Sequence, residues 1–99
     1  MKCPECGAVD ELEEVGVNKG HRIWRCRQCE KACTRGKLRM RPVSPNVQAD
    51  VEQIRKAGGI DSYLANVRQA AAQSFPDLPA DQALDNWNKL YGSWEAPSH

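Results

Sequence analysis

The chain has 99 residues, of which 40% are hydrophobic and 27% charged, and its formal net charge is +1. This length allows one compact domain or two very small ones, and a unit of about forty residues rarely buries enough apolar surface to fold unaided. No apolar run approaches the ~20 residues of a transmembrane helix, so we expect no membrane partner.

Two Cys-x-x-Cys pairs, Cys3 with Cys6 and Cys26 with Cys29, are separated by nineteen residues. Four thiolates satisfy a tetrahedral Zn²⁺, and two intervening residues let one tight turn direct both sulfurs toward the ion. Gly7 favours the first turn, because glycine tolerates a positive φ. We therefore predict one structural zinc ion per chain, bound by these four cysteines.

The competing interpretation of the cysteines is a pair of disulfides or free thiols. No hydrophobic segment of the signal-peptide type follows Met1, so we predict a reducing, cytoplasmic location in which the thiols bind metal. Metal binding can supply on the order of 10 kcal/mol of folding free energy. The N-terminal third is therefore expected to unfold without zinc.

Residues 12–17 and 21–25 alternate apolar and polar side chains around the turn Asn18-Lys19-Gly20. This pattern predicts a β-hairpin. A third strand is predicted over residues 37–41, whose strict alternation would put Leu38 and Met40 on one face and three cations on the other. Together with the cysteines, these strands predict an N-terminal zinc ribbon of three short antiparallel strands.

Basic side chains concentrate in the same region. Residues 19–41 contain nine Lys or Arg and a single acidic residue, Glu30, which is typical of a phosphate-binding surface. An alternative role for a basic strand is to prevent edge-to-edge aggregation. We predict nucleic-acid contacts, with DNA preferred, for eight residues: Arg22, Arg25, Arg27, Lys31, Arg35, Lys37, Arg39 and Arg41.

Two prolines, Pro42 and Pro45, interrupt the pattern and favour extended backbone. We therefore place the domain boundary at these prolines. We predict a ribbon over residues 1–41, a linker over 42–45, a helical segment over 46–92 and a disordered tail over 93–99. The predicted fold class is therefore small α+β. Because the helices have apolar stripes of their own, we expect them to keep much of their structure without zinc.

Apolar residues recur at helical spacing in three stretches of the second half. The first has Ser44 as its N-cap and stops at Gly58; the second is capped by Asp61 and ends before residue 76. The third begins near Pro79 and ends at Gly92. We predict about three short helices that bury a shared apolar stripe.

Three segments carry a resemblance to known proteins: Cys3-Pro4-Glu5-Cys6-Gly7-Ala8-Val9-Asp10, Gly20-His21-Arg22 and Arg25-Cys26-Arg27-Gln28-Cys29-Glu30-Lys31. Together they resemble the short N-terminal zinc ribbon of insertion-sequence transposase proteins of the InsA kind. They are also similar in outline to the ribbon of the bacterial ribonucleotide-reductase repressor family. The resemblance covers about residues 1–36 and implies that the ribbon acts on DNA. Residues 43–99 match neither family.

Four other side chains are candidates for a functional role. Cys33 stands where those ribbons commonly have an aromatic residue; we interpret it as a small buried side chain, and the alternative is a competing ligand or redox-sensitive thiol. His21 is a ligand by type, but four sulfurs already complete a tetrahedron. Trp24 is expected to pack in the ribbon, with base stacking as its alternative role. Trp94, if exposed, would mark a contact surface.

The charge differs between the two halves, with a net of +4 over residues 1–42 and −3 over residues 43–99. We predict a nucleic-acid-binding regulatory protein whose acidic helices dimerise or recruit a partner. The alternative is a protein-interaction adaptor, such as a phage or mobile-element factor acting on host transcription or replication machinery, in which zinc is purely structural. No enzyme is predicted, because a four-sulfur zinc site has no open position for water.

Overall fold

The structure, a computed structural model, describes residues 2–97 and has α+β architecture, as predicted. Its strands are β1 (Leu12–Asn18), β2 (His21–Cys26), β3 (Ala32–Arg35), β4 (Met40–Pro42) and β5 (Trp94–Glu95). Its helices are α1 (Pro45–Ala57), α2 (Ile60–Ser74) and α3 (Ala80–Tyr91). The strands form one antiparallel sheet in the order β4-β3-β2-β1-β5. The prediction of three helices is confirmed, whereas the sheet has five strands instead of three.

The predicted hairpin is present, with Asn18 of β1 opposite His21 of β2. The third strand predicted over residues 37–41 is confirmed only for Met40 and Arg41, which lie in β4, because residues 36–39 form a turn between β3 and β4. The amide of Gly36 donates to the carbonyl oxygen of Arg39 at 2.8 Å. A Cβ atom on residue 36 would lie 3.0 Å from that oxygen, so glycine permits this tight reversal. Lys37 and Arg39 therefore lie in the turn.

The predicted disordered tail instead contributes β5, whose Trp94 lies opposite Asn18 at the β1 edge of the sheet. The Trp94 side chain is buried, and its indole N–H donates to Oδ2 of Asp50 at 3.2 Å. Its ring also meets Tyr63 edge-on, with the ring centroids 6.4 Å apart. Trp94 is thus part of the core and not an exposed contact surface. Residues 98–99 of the predicted tail lie outside the described residues.

The caps of α1 are the predicted ones. The Ser44 hydroxyl accepts a hydrogen bond from the amide of Val47 at 3.4 Å, and Gly58 ends the helix in the left-handed conformation. Asp61 lies in the first turn of α2, whose N-cap is Gly59. Across residues 2–97, none of the helices has both the length and the apolar character to cross a bilayer.

The core joins the sheet to the helices. Its buried cluster contains residues from β2, β3, α1 and β5: Ile23, Ala32, Val51, Ile54 and Trp94. The side chain of Gln48 on α1 adds two hydrogen bonds, accepting from the amide of Ala32 and donating to its carbonyl oxygen, both at 2.8 Å. The ribbon and α1 therefore share one core, although the composition predicts a boundary between them.

Candidate metal centre and basic groove

The four cysteines of the two pairs come together, with all four sulfurs within 4.8 Å of one another. The sulfurs of Cys3 and Cys29 are 3.5 Å apart, and those of Cys6 and Cys26 are 3.6 Å apart. A disulfide bond measures about 2.05 Å. A tetrahedron with metal–sulfur bonds of about 2.3 Å has edges of about 3.8 Å. The group could therefore hold one metal ion.

The two cysteine turns share a backbone design. In the first, the amide of Gly7 donates to the carbonyl oxygen of Cys3 at 3.0 Å; in the second, the amide of Glu30 donates to that of Cys26 at 2.9 Å. Gly7 has φ 77° and Glu30 has φ 67°, so both turns close with a left-handed residue. Glycine suits that conformation and glutamate does not, so the second turn carries backbone strain.

Burial and hydrogen bonding distinguish the thiols. Cys3 and Cys26 are buried, Cys29 is half-buried and Cys6 is exposed. The amide of Cys29 donates to the sulfur of Cys26 at 3.5 Å, and this bond is the main reason that the pKa of Cys26 falls to about 7. Burial raises the pKa of Cys29 to about 12. Because metals bind thiolates, a metal ion at this site would displace the proton from any of the four cysteines that is still a thiol.

Cys33 lies on β3, opposite Trp24 in register, and is buried. It is not among the four clustered sulfurs, and burial raises its pKa to about 11. The predicted burial of Cys33 is confirmed. His21 is exposed at the start of β2 and also lies outside the cluster formed within residues 2–97. Trp24 is half-buried.

A broad groove of about 1090 Å³ runs between the first cysteine turn and the β3–β4 hairpin. We call it the basic groove. Its five charged side chains are all cationic: Lys2, Arg35, Lys37, Arg39 and Arg41. Within residues 2–97, no acidic side chain lines the groove and no ion pair is found for these five cations. Because Cys3 lies in the wall, the groove adjoins the candidate metal centre.

The basic groove contains four of the eight residues predicted to contact nucleic acid, and the other four lie elsewhere. Arg22 pairs with Glu14 of β1 at 3.4 Å, and Arg27 pairs with Glu13 of β1 at 3.6 Å. These acidic residues precede the basic stretch along the chain, and the antiparallel pairing of β1 with β2 brings them next to its arginines. The charge of Arg22 and Arg27 is therefore partly neutralised within the protein.

Arg25 has a structural position, since only 14% of its side chain is exposed. It pairs with Glu30 at 3.6 Å and with Glu52 of α1 at 3.4 Å, which ties the second cysteine turn to the helix. Burial alone would raise the pKa of Glu52, but the hydrogen bond from Arg55 and the charge of Arg25 lower it below its usual value. Lys31 lines a shallow depression beside these same acids.

Lys2 is the groove residue that the sequence prediction missed. It lies outside the basic stretch of residues 19–41 and enters the groove because the first cysteine turn and the β3–β4 hairpin line the same groove. Its position directly before Cys3 is the signal that could have identified it.

A second cleft, of about 570 Å³, lies between α2, α3 and β5. It contains Trp87 and Tyr91, whose ring centroids are 4.4 Å apart. Tyr91 is 64% exposed and the adjacent Leu90 is 66% exposed. We call this the aromatic cleft.

No family model, curated protein or solved structure matches this chain. The resemblance to InsA-type ribbons therefore stays a prediction that rests on the segments within residues 1–36.

Proposed function

We propose that this protein binds nucleic acid, with DNA preferred, through the basic groove, and that it acts as a regulatory protein. The observation that carries the proposal is the convergence of five cations, from both walls of one groove, with no acidic side chain among the groove-lining residues that the structure describes. Phosphate backbones release condensed counterions when such cations replace them, and this release supplies most of the sequence-independent affinity.

We propose Zn²⁺ as the metal, one ion per chain, bound by Cys3, Cys6, Cys26 and Cys29. Tetrahedral sulfur sites suit zinc or iron, and a structural zinc site is closed by four protein ligands. The ion would hold the first cysteine turn, and with it Lys2, as one wall of the groove. A reducing compartment such as the cytoplasm keeps the thiols available. A closed site offers no position for substrate, so we infer no enzymatic activity.

Elemental analysis by mass spectrometry tests the metal. One zinc and no iron per chain is expected for protein expressed in medium that contains both metals. A stoichiometric iron content, with the visible absorption of iron–thiolate, would contradict zinc while leaving the four-sulfur site in place.

The binding proposal is tested by neutralising the groove with Lys37→Gln, Arg39→Gln and Arg41→Gln in one protein. Affinity for a random-sequence duplex should fall, and the slope of log affinity against log salt should decrease by up to about 2.7, since each lost phosphate contact removes about 0.9. The fold should survive, because these side chains project from a turn and an edge strand.

A control protein carries Arg22→Gln, Arg27→Gln and Arg55→Gln. It loses the same total charge, but all three of its arginines are ion-paired outside the groove. The control should keep most of the salt slope. An equal loss in both proteins would mean that overall charge, and not the groove, governs binding.

If the unmodified protein shows no salt-sensitive affinity for any nucleic acid, the regulator proposal fails and the adaptor alternative replaces it. The aromatic cleft is then the surface to test, with Trp87 and Tyr91 as the first residues to substitute. Trp94 is unsuitable for that purpose because its burial makes any substitution a test of stability.

A further inference from the structure

The most exposed large apolar side chain among residues 2–97 lies within the basic groove. Leu38, in the turn between β3 and β4, is 97% exposed. Lys37 and Arg39 flank it along the chain, and all three residues line the groove. A single exposed leucine is ordinary on a protein surface. A leucine at a hairpin tip between two cations is suited to enter DNA as an apolar side chain while the neighbouring cations contact phosphates.

The groove lacks the features of a single-strand site. Proteins that hold single strands stack successive bases on aromatic side chains. No aromatic residue lines the groove within residues 2–97. Trp24, the base-stacking candidate, is half-buried on β2 and is not in the lining. The apolar side chains available in the groove are aliphatic, from Leu38, Met40 and two prolines.

From these observations, and resting on the proposed function, we propose that the ligand of the groove is duplex DNA and that Leu38 enters the minor groove as an apolar wedge. The minor groove of B-DNA is about 6 Å wide, too narrow for a two-stranded ribbon, so only side chains at the hairpin tip can enter. Lys37 and Arg39 would contact the phosphates on either side. Aliphatic wedges of this kind partly unstack a base step and bend the duplex.

The test separates bending from binding. A duplex of about 30 base pairs with a central TA step, which is easily deformed, carries a fluorescent donor and acceptor at its two ends. Three proteins are compared by energy transfer and by affinity: the unmodified chain, Leu38→Ala and the control Leu90→Ala. Leu90 is also an exposed leucine, at 66%, but it lies on α3.

The unmodified protein should raise energy transfer, as a bend of roughly 20–90° brings the ends closer. Leu38→Ala should abolish most of that rise, with an unchanged salt slope and less than about a tenfold loss of affinity, because burial of the leucine side chain roughly offsets the cost of unstacking the bases. Leu90→Ala should behave like the unmodified protein. Affinity for a single strand of the same sequence should be lower than for the duplex.

Different failures have different meanings. Binding to the duplex without bending, or equal bending by Leu38→Ala, overturns the wedge and leaves the groove as a phosphate-binding site. Tighter binding to the single strand overturns the choice of duplex. Vesicles with anionic lipid are titrated in parallel, and Leu38-dependent binding to them that exceeds binding to DNA would also overturn the inference. If the protein binds no nucleic acid at all, the proposed function is contradicted as well as the wedge.

Discussion

The two hydrogen bonds between Gln48 and Ala32 should make a large contribution to the free energy of unfolding. Replacing Gln48 with methionine keeps a long side chain of similar shape and removes both bonds. Ala32 is fully buried, so its amide would lose its partner away from water. Its carbonyl oxygen would keep only the longer bond from Val43, at 3.4 Å.

The magnitude follows from these contacts. A buried donor left without a partner costs about 1–3 kcal/mol, and a neutral hydrogen bond contributes about 0.5–1.5 kcal/mol. We therefore expect Gln48→Met to lower the free energy of unfolding by about 2–3 kcal/mol. For a domain of this size, that corresponds to a fall in Tm of roughly 8–24 °C.

The assay is urea unfolding of metal-saturated protein, followed by circular dichroism at 222 nm. Gln53→Met is the matched control, because Gln53 is exposed on the same helix and its substitution should change stability by less than about 0.5 kcal/mol. The denaturant dependence should stay the same for both proteins. A Gln48→Met protein within about 0.5 kcal/mol of its control would refute the reasoning that this side chain fastens α1 to the sheet.

Three further outcomes are expected. Cys26→Ser should lose stoichiometric zinc and ribbon structure, whereas Cys33→Ser should keep its zinc by elemental analysis, and loss of zinc from the second protein would contradict the ligand set. Chelation should reduce the helical circular dichroism as well as the ribbon signals, because α1 packs in the shared core; full retention of helicity would show two independent units. Gly7→Ala should lower the free energy of unfolding by about 1–2 kcal/mol, because residue 7 is left-handed. Glu30→Gly should raise it by up to about 1 kcal/mol, because relief of the left-handed strain exceeds the loss of the ion pair with Arg25, in which the Glu30 side chain is 70% exposed. A shift of Tm in the same direction for both proteins would contradict this.

Features with a local cause could be predicted from the sequence. The spacing of the cysteine pairs, the turn after Asn18 and the caps of α1 each depend on residues a few positions apart, and the structure has all of them. The strand assignment failed for residues 37–39 because alternation of cations and apolar residues is equally compatible with a turn. Gly36 was the discriminating signal.

Features that depend on distant residues were not predictable in the same way. The pairing of β5 with β1 joins residues far apart in the chain, and Trp94 has no local pattern that indicates burial. The interpretation of the arginines failed to separate those in the groove from those paired with Glu13 and Glu14, because the pairing depends on strand register. Charge counting along the chain cannot distinguish a cation that faces solvent from one that faces a carboxylate.

The position of β5 affects the order in which the protein can be assembled during synthesis. Both cysteine pairs are complete at Cys29, but the core lacks Trp94 until 65 more residues have been added. At about 5–20 residues per second, this interval lasts about 3–13 s. Throughout it, the outer edge of β1 is without the strand that later covers it. A metal ion bound early by the four cysteines would hold the nascent ribbon together over those seconds, so the metal supply during translation would affect the yield of folded protein.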